Sequence, residues 1–152
     1  MNGNTGFGAR AYAQNEASGG VEAADSHRLI LMLYDGAIAA AHQGIAHLRG
    51  RDVPAKCAAV GKALRIVDEG LRAAVDRNAG GELASRLLDL YDYMTMRLLQ
   101  ANLRNDAAAL DEVARLLSDL RSAWAQIRPA APARTAAESA AAPATRRLAV
   151  LA

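Results

Sequence analysis

Asn105–Ile127 reads NDAAALDEVARLLSDLRSAWAQI. Within it Leu110, Val113, Leu117, Leu120, Trp124 and Ile127 recur at alternating steps of three and four. That spacing puts all six on one seam of a helix packed lengthwise against neighbours. Asn105 and Asp106 suit the cap of its first turn, and Pro129 stops it.

The same reading extends backwards along the chain. A third helix is expected from Glu82 to Leu103, set off by Asn78 and the pair Gly80-Gly81. Its core face carries Leu83, Leu87, Leu90, Met94, Leu98 and Ala101. The second helix opens at Asp52 and Pro54, with Val60, Leu64, Val67, Leu71, Ala74 and Val75 as its stripe. The first starts at Asp25 or Ser26, carries Leu29, Ile30, Leu33, Ala37, Ala41, Gly44, Ile45 and Leu48, and ends at Gly50. Four helices joined by short links predict an all-α fold, an antiparallel up-down-up-down four-helix bundle over residues 25–128. At ~1.5 Å per residue the bundle is a rod about 35 Å long.

The flanks read differently. Residues 1–24 are rich in Gly and poor in apolar side chains, which predicts a flexible N-terminal arm with one helical turn near Tyr12. Residues 129–152 are dominated by Ala and Pro, the composition of a disordered tail.

Aromatic residues make up only 4 % of the chain while Ala and Leu abound, which favours helix over sheet. The net charge of +2 is confined to the tail, where Arg134, Arg146 and Arg147 face only Glu138. No basic stripe marks the predicted bundle, so nucleic-acid binding is not expected. Cys57 is the lone cysteine and cannot form an internal disulfide, as suits a reducing compartment. The N-terminus lacks the basic start and apolar run of a secretion signal, and no stretch is expected to approach membrane-spanning length. Cytoplasmic localisation and no membrane insertion are therefore expected.

Catalytic chemistry finds no purchase. No His stands three residues after a Glu, as an inward di-iron site requires. His27, His42 and His47 are unclustered, and Gly80-Gly81 lacks the Lys-Ser/Thr of a phosphate loop. No catalytic residue, metal or cofactor is expected. His47-Leu48-Arg49-Gly50 resembles a phosphotransfer site, but lies at a helix end where that site needs mid-helix. A histidine phosphotransfer bundle and a dimeric helical scaffold are the alternative readings.

What does stand out is surplus apolar surface. In the third helix Leu88, Tyr91, Met96, Leu99 and Leu103 spread beyond the core face, and in the first Leu29, Leu31 and Met32 do the same. A helix touching two neighbours accounts for part of this excess. The rest predicts an apolar groove for a partner segment, with Leu88, Met96, Leu99 and Leu103 as its lining and Tyr12 as its cover. The competing reading places any of these leucines inside the bundle.

Leu-x-Leu-Tyr-Asp occurs at both Leu31–Asp35 and Leu88–Asp92. Further blocks are Ala11-Tyr12-Ala13-Gln14, Lys62-Ala63, Leu71–Asp76 (LRAAVD), Leu90–Met94 (LYDYM), Arg97–Asp106 (RLLQANLRND), Leu116-Leu117 and Ala123-Trp124. Together, over about residues 9–128, they resemble the flagellin export chaperone family FliS. One departure is Asp25-Ser26-His27, where that family commonly carries Ser-Pro.

The resemblance implies a cytoplasmic helical bundle that binds the disordered C-terminal segment of flagellin. It would prevent premature polymerisation and deliver the client to the flagellar type III export gate. It implies that Tyr12 occupies part of the groove in the free protein, and that the anti-sigma factor of late flagellar genes is a second partner. On the same ground Tyr34 and Tyr91 are read as packing residues, not client contacts.

Overall fold

The computed structural model describes residues 2–78 and 80–127, with side-chain surroundings for 20–75 and 80–127. All regular structure among them is helical: α1 (Asn2–Arg49), α2 (Val53–Arg65), a π-helical segment (Ile66–Arg72), α3 (Ala73–Asn78), α4 (Gly81–Arg104) and α5 (Ala107–Gln126). α2, the π segment and α3 run on without a break, so the helical rods number four. The chain divides into two units, Met1–Leu29 with Ala125–Ala152, and Ile30–Trp124. The core lies in the second.

Two turns are built alike. After α1, Arg51 takes the left-handed conformation (φ 59°) and the Asp52 N–H reaches back to the His47 carbonyl at 2.9 Å. After α4, Asn105 does the same (φ 54°), and the Asp106 N–H bonds to the Ala101 carbonyl at 3.1 Å. Each left-handed residue closes one helix and hands over to an Asp that opens the next. Asp52 Oδ1 accepts from the Ala55 N–H at 3.1 Å, and Asp106 Oδ1 accepts from those of Ala108 and Ala109 at 3.0 and 3.2 Å. Pro54 stands in the first turn of α2, as expected.

The core collects most of the predicted faces, with Tyr34, Ala40, Ala63, Tyr91 and Ala109 added from outside the predicted stripes. Tyr34, Ala37, Ala40 and Ile45 of α1 pack with Val60 and Ala63 of α2, and with Val67 and Leu71 of the π segment. Tyr91, Met94, Leu98 and Ala101 of α4 meet Ala109, Leu110, Val113 and Leu117 of α5. Small residues bring the helices close. A Cβ on Gly44 would meet both Leu110 Cδ1 and Val60 Cγ2 at 3.2 Å, and one on Gly70 would meet Leu33 Cδ2 at 3.1 Å.

Several expectations need correction. α1 runs through Asp25, which therefore caps nothing; its carboxylate pairs with Arg28 at 3.4 Å. The first helix is expected to start at Asp25 or Ser26, whereas α1 starts at Asn2; the expectations for the Tyr12 side chain and for the tail beyond residue 127 lie outside the described residues. Leu83, assigned to a core stripe, is exposed in the first turn of α4; Leu29, read both in the stripe of the first helix and as surplus beyond it, is exposed as well. Tyr91, counted among surplus apolar residues by its position and read as a packing residue through the resemblance, is buried, which favours the second reading. Gly20–Arg49 is long and apolar enough to cross a membrane by length and composition, contrary to expectation. Its Tyr34, Ala37, Ala40, Ala41 and Ile45 are core residues, and a core helix meets the same criterion.

The second helix is not regular. Ala59, Ala63, Val67 and Leu71 are all buried at steps of exactly four residues. In a 3.6-residue helix each such step overshoots by about 40°. The wider turn over Ile66–Arg72 takes out that drift and keeps Leu71 inside.

Candidate functional site

α4 shows two faces. At about 100° per residue, Ala84, Leu87, Tyr91, Met94, Leu98 and Ala101 form the inward side, and all are buried or packed against the core. Leu88, Asp92, Met96, Leu99 and Leu103 share the opposite flank within roughly 80° of arc. Leu88 is half-buried, whereas Met96 is 46 %, Leu99 49 % and Leu103 83 % exposed. Four of the five predicted groove residues therefore lie on one stripe of one helix. Met32 on α1 is a further exposed apolar side chain, as read from its off-stripe position.

Covering Met96, Leu99 and Leu103 would be worth about 3–5 kcal/mol in apolar burial, given their partial exposure. Ordering a flexible segment costs a similar 2–5 kcal/mol or more. A disordered partner therefore has to cover apolar surface beyond this stripe.

Polar contacts fix how α4 sits. Lys56, a residue only 2 % exposed, donates through Nζ to the Asn102 carbonyl at 2.8 Å and to Asn102 Oδ1 at 2.9 Å. It thus ties the start of α2 to the last turn of α4, where free carbonyls and the helix dipole favour a cation. Deeper in the core the hydroxyls of Tyr34 and Tyr91 lie 2.6 Å apart. Burial pushes both phenols above their ordinary range, so both stay protonated. On the α5 side, Glu112 accepts from the Tyr93 hydroxyl at 2.6 Å and from Arg97 Nε at 2.7 Å. Those two bonds, the Tyr93 one foremost, hold its carboxyl below the ordinary value. On the flank towards the π segment, Arg72 Nε donates to Asp92 Oδ1 at 2.8 Å.

The sequence reading missed Lys56, because a lysine in a helix is ordinarily solvated. Its four-carbon stem allows a buried path when a polar terminus waits at the end. It also missed Asp92 as the centre of the stripe, although the spacing Leu88, Asp92, Met96 was there to be read.

Among the described residues no three His, Cys, Asp or Glu side chains gather as metal ligands. His47 is half-buried in the last turn of α1, and His42 is exposed within that helix. The exposure of the histidines by itself leaves the phosphotransfer reading standing. The described residues thus form an all-helical fold with an exposed apolar stripe on α4.

Residues 8–131 match the family described as Flagellar protein FliS. The Flagellar secretion chaperone FliS of Salmonella typhimurium is 50 % identical over 127 residues, covering 84 % of this chain and 94 % of that one. The Flagellar secretion chaperone FliSB of Pseudomonas aeruginosa is 40 % identical, covering 76 % and 90 % respectively. That of Escherichia coli is 38 % identical, covering 77 % and 86 %. The chain belongs to the FliS family, whose named members are chaperones rather than enzymes.

Proposed function

We propose that this protein is a cytoplasmic, non-catalytic chaperone of flagellin. It binds the disordered C-terminal segment of the newly made client, blocks premature polymerisation, and passes the complex to the flagellar type III export apparatus. The observation that carries this is the exposed Met96–Leu99–Leu103 stripe on a helix whose other face packs the core, in a chain of this family.

The helices run up-down-up-down in this reading. Cross-helix contacts support it: Lys56 with Asn102 and Arg72 with Asp92, Gly44 with Leu110 and Asp35 with Arg121. In each pair of contacts one partner's number rises as the other's falls. Tyr12 acts as the groove cover that the client displaces.

Calorimetry decides the central point. The C-terminal peptide of the source cell's flagellin is expected to bind, and flagellin truncated before that segment is not. Absence of peptide binding overturns the reading.

A further inference from the structure

Asp92 interrupts the apolar line of α4 between the half-buried Leu88 and the exposed Met96. Leu88 stands one turn before it and Met96 one turn after, with Leu99 and Leu103 continuing the line. A chain lying along this stripe from Leu103 to Leu88 must cross the carboxylate. Arg72, the last residue of the π segment, holds that carboxylate through Nε at 2.8 Å. The Asp92 side chain is still 58 % exposed.

The partner of Asp92 is set by the backbone. The wide turn keeps Val67 and Leu71 inside, and Arg72 follows Leu71 directly at the seam between the π segment and α4. The pair is therefore fixed by the same device that packs the second helix, unlike two long side chains meeting by chance.

An apolar stripe alone carries little register information. Leu and Met one turn apart offer nearly equal surfaces, so a bound segment can slip by a turn at small cost. A polar group within such a seam changes this: covered by apolar atoms it loses hydration, and matched by a donor it does not. A carboxylate with one oxygen engaged has acceptor capacity to spare.

The geometry points to the Arg72–Asp92 pair as the register pin of the client stripe, reading the bound segment for one hydroxyl or carboxamide donor flanked by apolar residues. This rests on the flagellin reading above and names what that surface selects.

The test is a peptide scan. Each Ser, Thr, Asn and Gln of the flagellin C-terminal peptide is replaced in turn by Val, and binding is measured to the native protein, Asp92→Leu and Asp92→Asn. In the native protein one position is expected to lose about 10-fold or more in affinity, an amount set by one unmatched buried polar group. Against Asp92→Leu that loss shrinks below about 3-fold while losses elsewhere persist; Asp92→Asn falls between. Thermal melts of both variants control for folding, and Asp92→Asn keeps the shape if Asp92→Leu packs badly. A scan with no position whose loss depends on residue 92 overturns the pin and leaves the flagellin reading intact. No binding of any peptide to the native protein overturns both.

Discussion

Tyr34 and Tyr91 share a single hydrogen bond inside an otherwise apolar core, so each hydroxyl depends on the other. Tyr91→Phe strands the Tyr34 hydroxyl and is expected to cost about 1–3 kcal/mol in urea unfolding. The double variant Tyr34→Phe with Tyr91→Phe should cost less than twice that, because no orphan remains; full additivity would show that the pair does not interact. Glu112 offers a pH readout. Its folded carboxyl lies below the ordinary 4.5, so the unfolded chain binds the proton more readily. Its contribution is present above pH 4.5 and is lost as pH falls through the lower folded value. The melting temperature should drop in that acid range, and Glu112→Gln should flatten the part of the drop due to this group. Both networks escape sequence reading, since Tyr93, Arg97 and Glu112 look like ordinary surface residues until α4 and α5 are laid side by side.

At the scale of the element, glycines mark where helices touch. Gly44→Ala would ordinarily gain about 1 kcal/mol of helix propensity. Here the new methyl would sit 3.2 Å from the branched side chains of Leu110 and Val60, both fully buried, which must give way to admit it. No gain is expected from Gly44→Ala, and Gly44→Leu should cost about 1–3 kcal/mol by overpacking, read from chemical denaturation. The α5 seam, the Asp52 and Asp106 caps and the breaks near Gly50 and Gly80 were legible because caps and periodicity are local. The π segment was not, although Ala59, Ala63, Val67 and Leu71 stand four apart. A step of four is also compatible with a regular helix, and only the neighbours show that all four must stay buried.

Over the whole molecule, a stripe that serves a client is one whose loss spares the fold. Leu99→Asp combined with Leu103→Asp should weaken flagellin-peptide binding by more than about 10-fold in calorimetry. The melting temperature should move by no more than a few degrees, because both side chains are exposed. A large loss of stability would place them in the core instead. Tyr12→Ala should alter client affinity more than melting temperature; an equal loss of stability would mark Tyr12 as a packing residue.

The amino-acid sequence by itself determined the all-helical class, the helix limits after Gly50 and the family, and it singled out Met96, Leu99 and Leu103 as apolar residues beyond the core face; their exposure was left to the structure. Each of these depends on periodicity, caps or residue blocks, which are written within one segment. Tertiary structure alone decided that Lys56 is buried, that Tyr34 meets Tyr91, and that Arg72 grips Asp92 in the centre of the stripe. These join residues 46, 57 and 20 positions apart, and such pairings are settled by how whole helices pack. The repeated Leu-x-Leu-Tyr-Asp shows the difference: its two tyrosines find each other, while its two aspartates pair with Arg121 and Arg72 on different flanks.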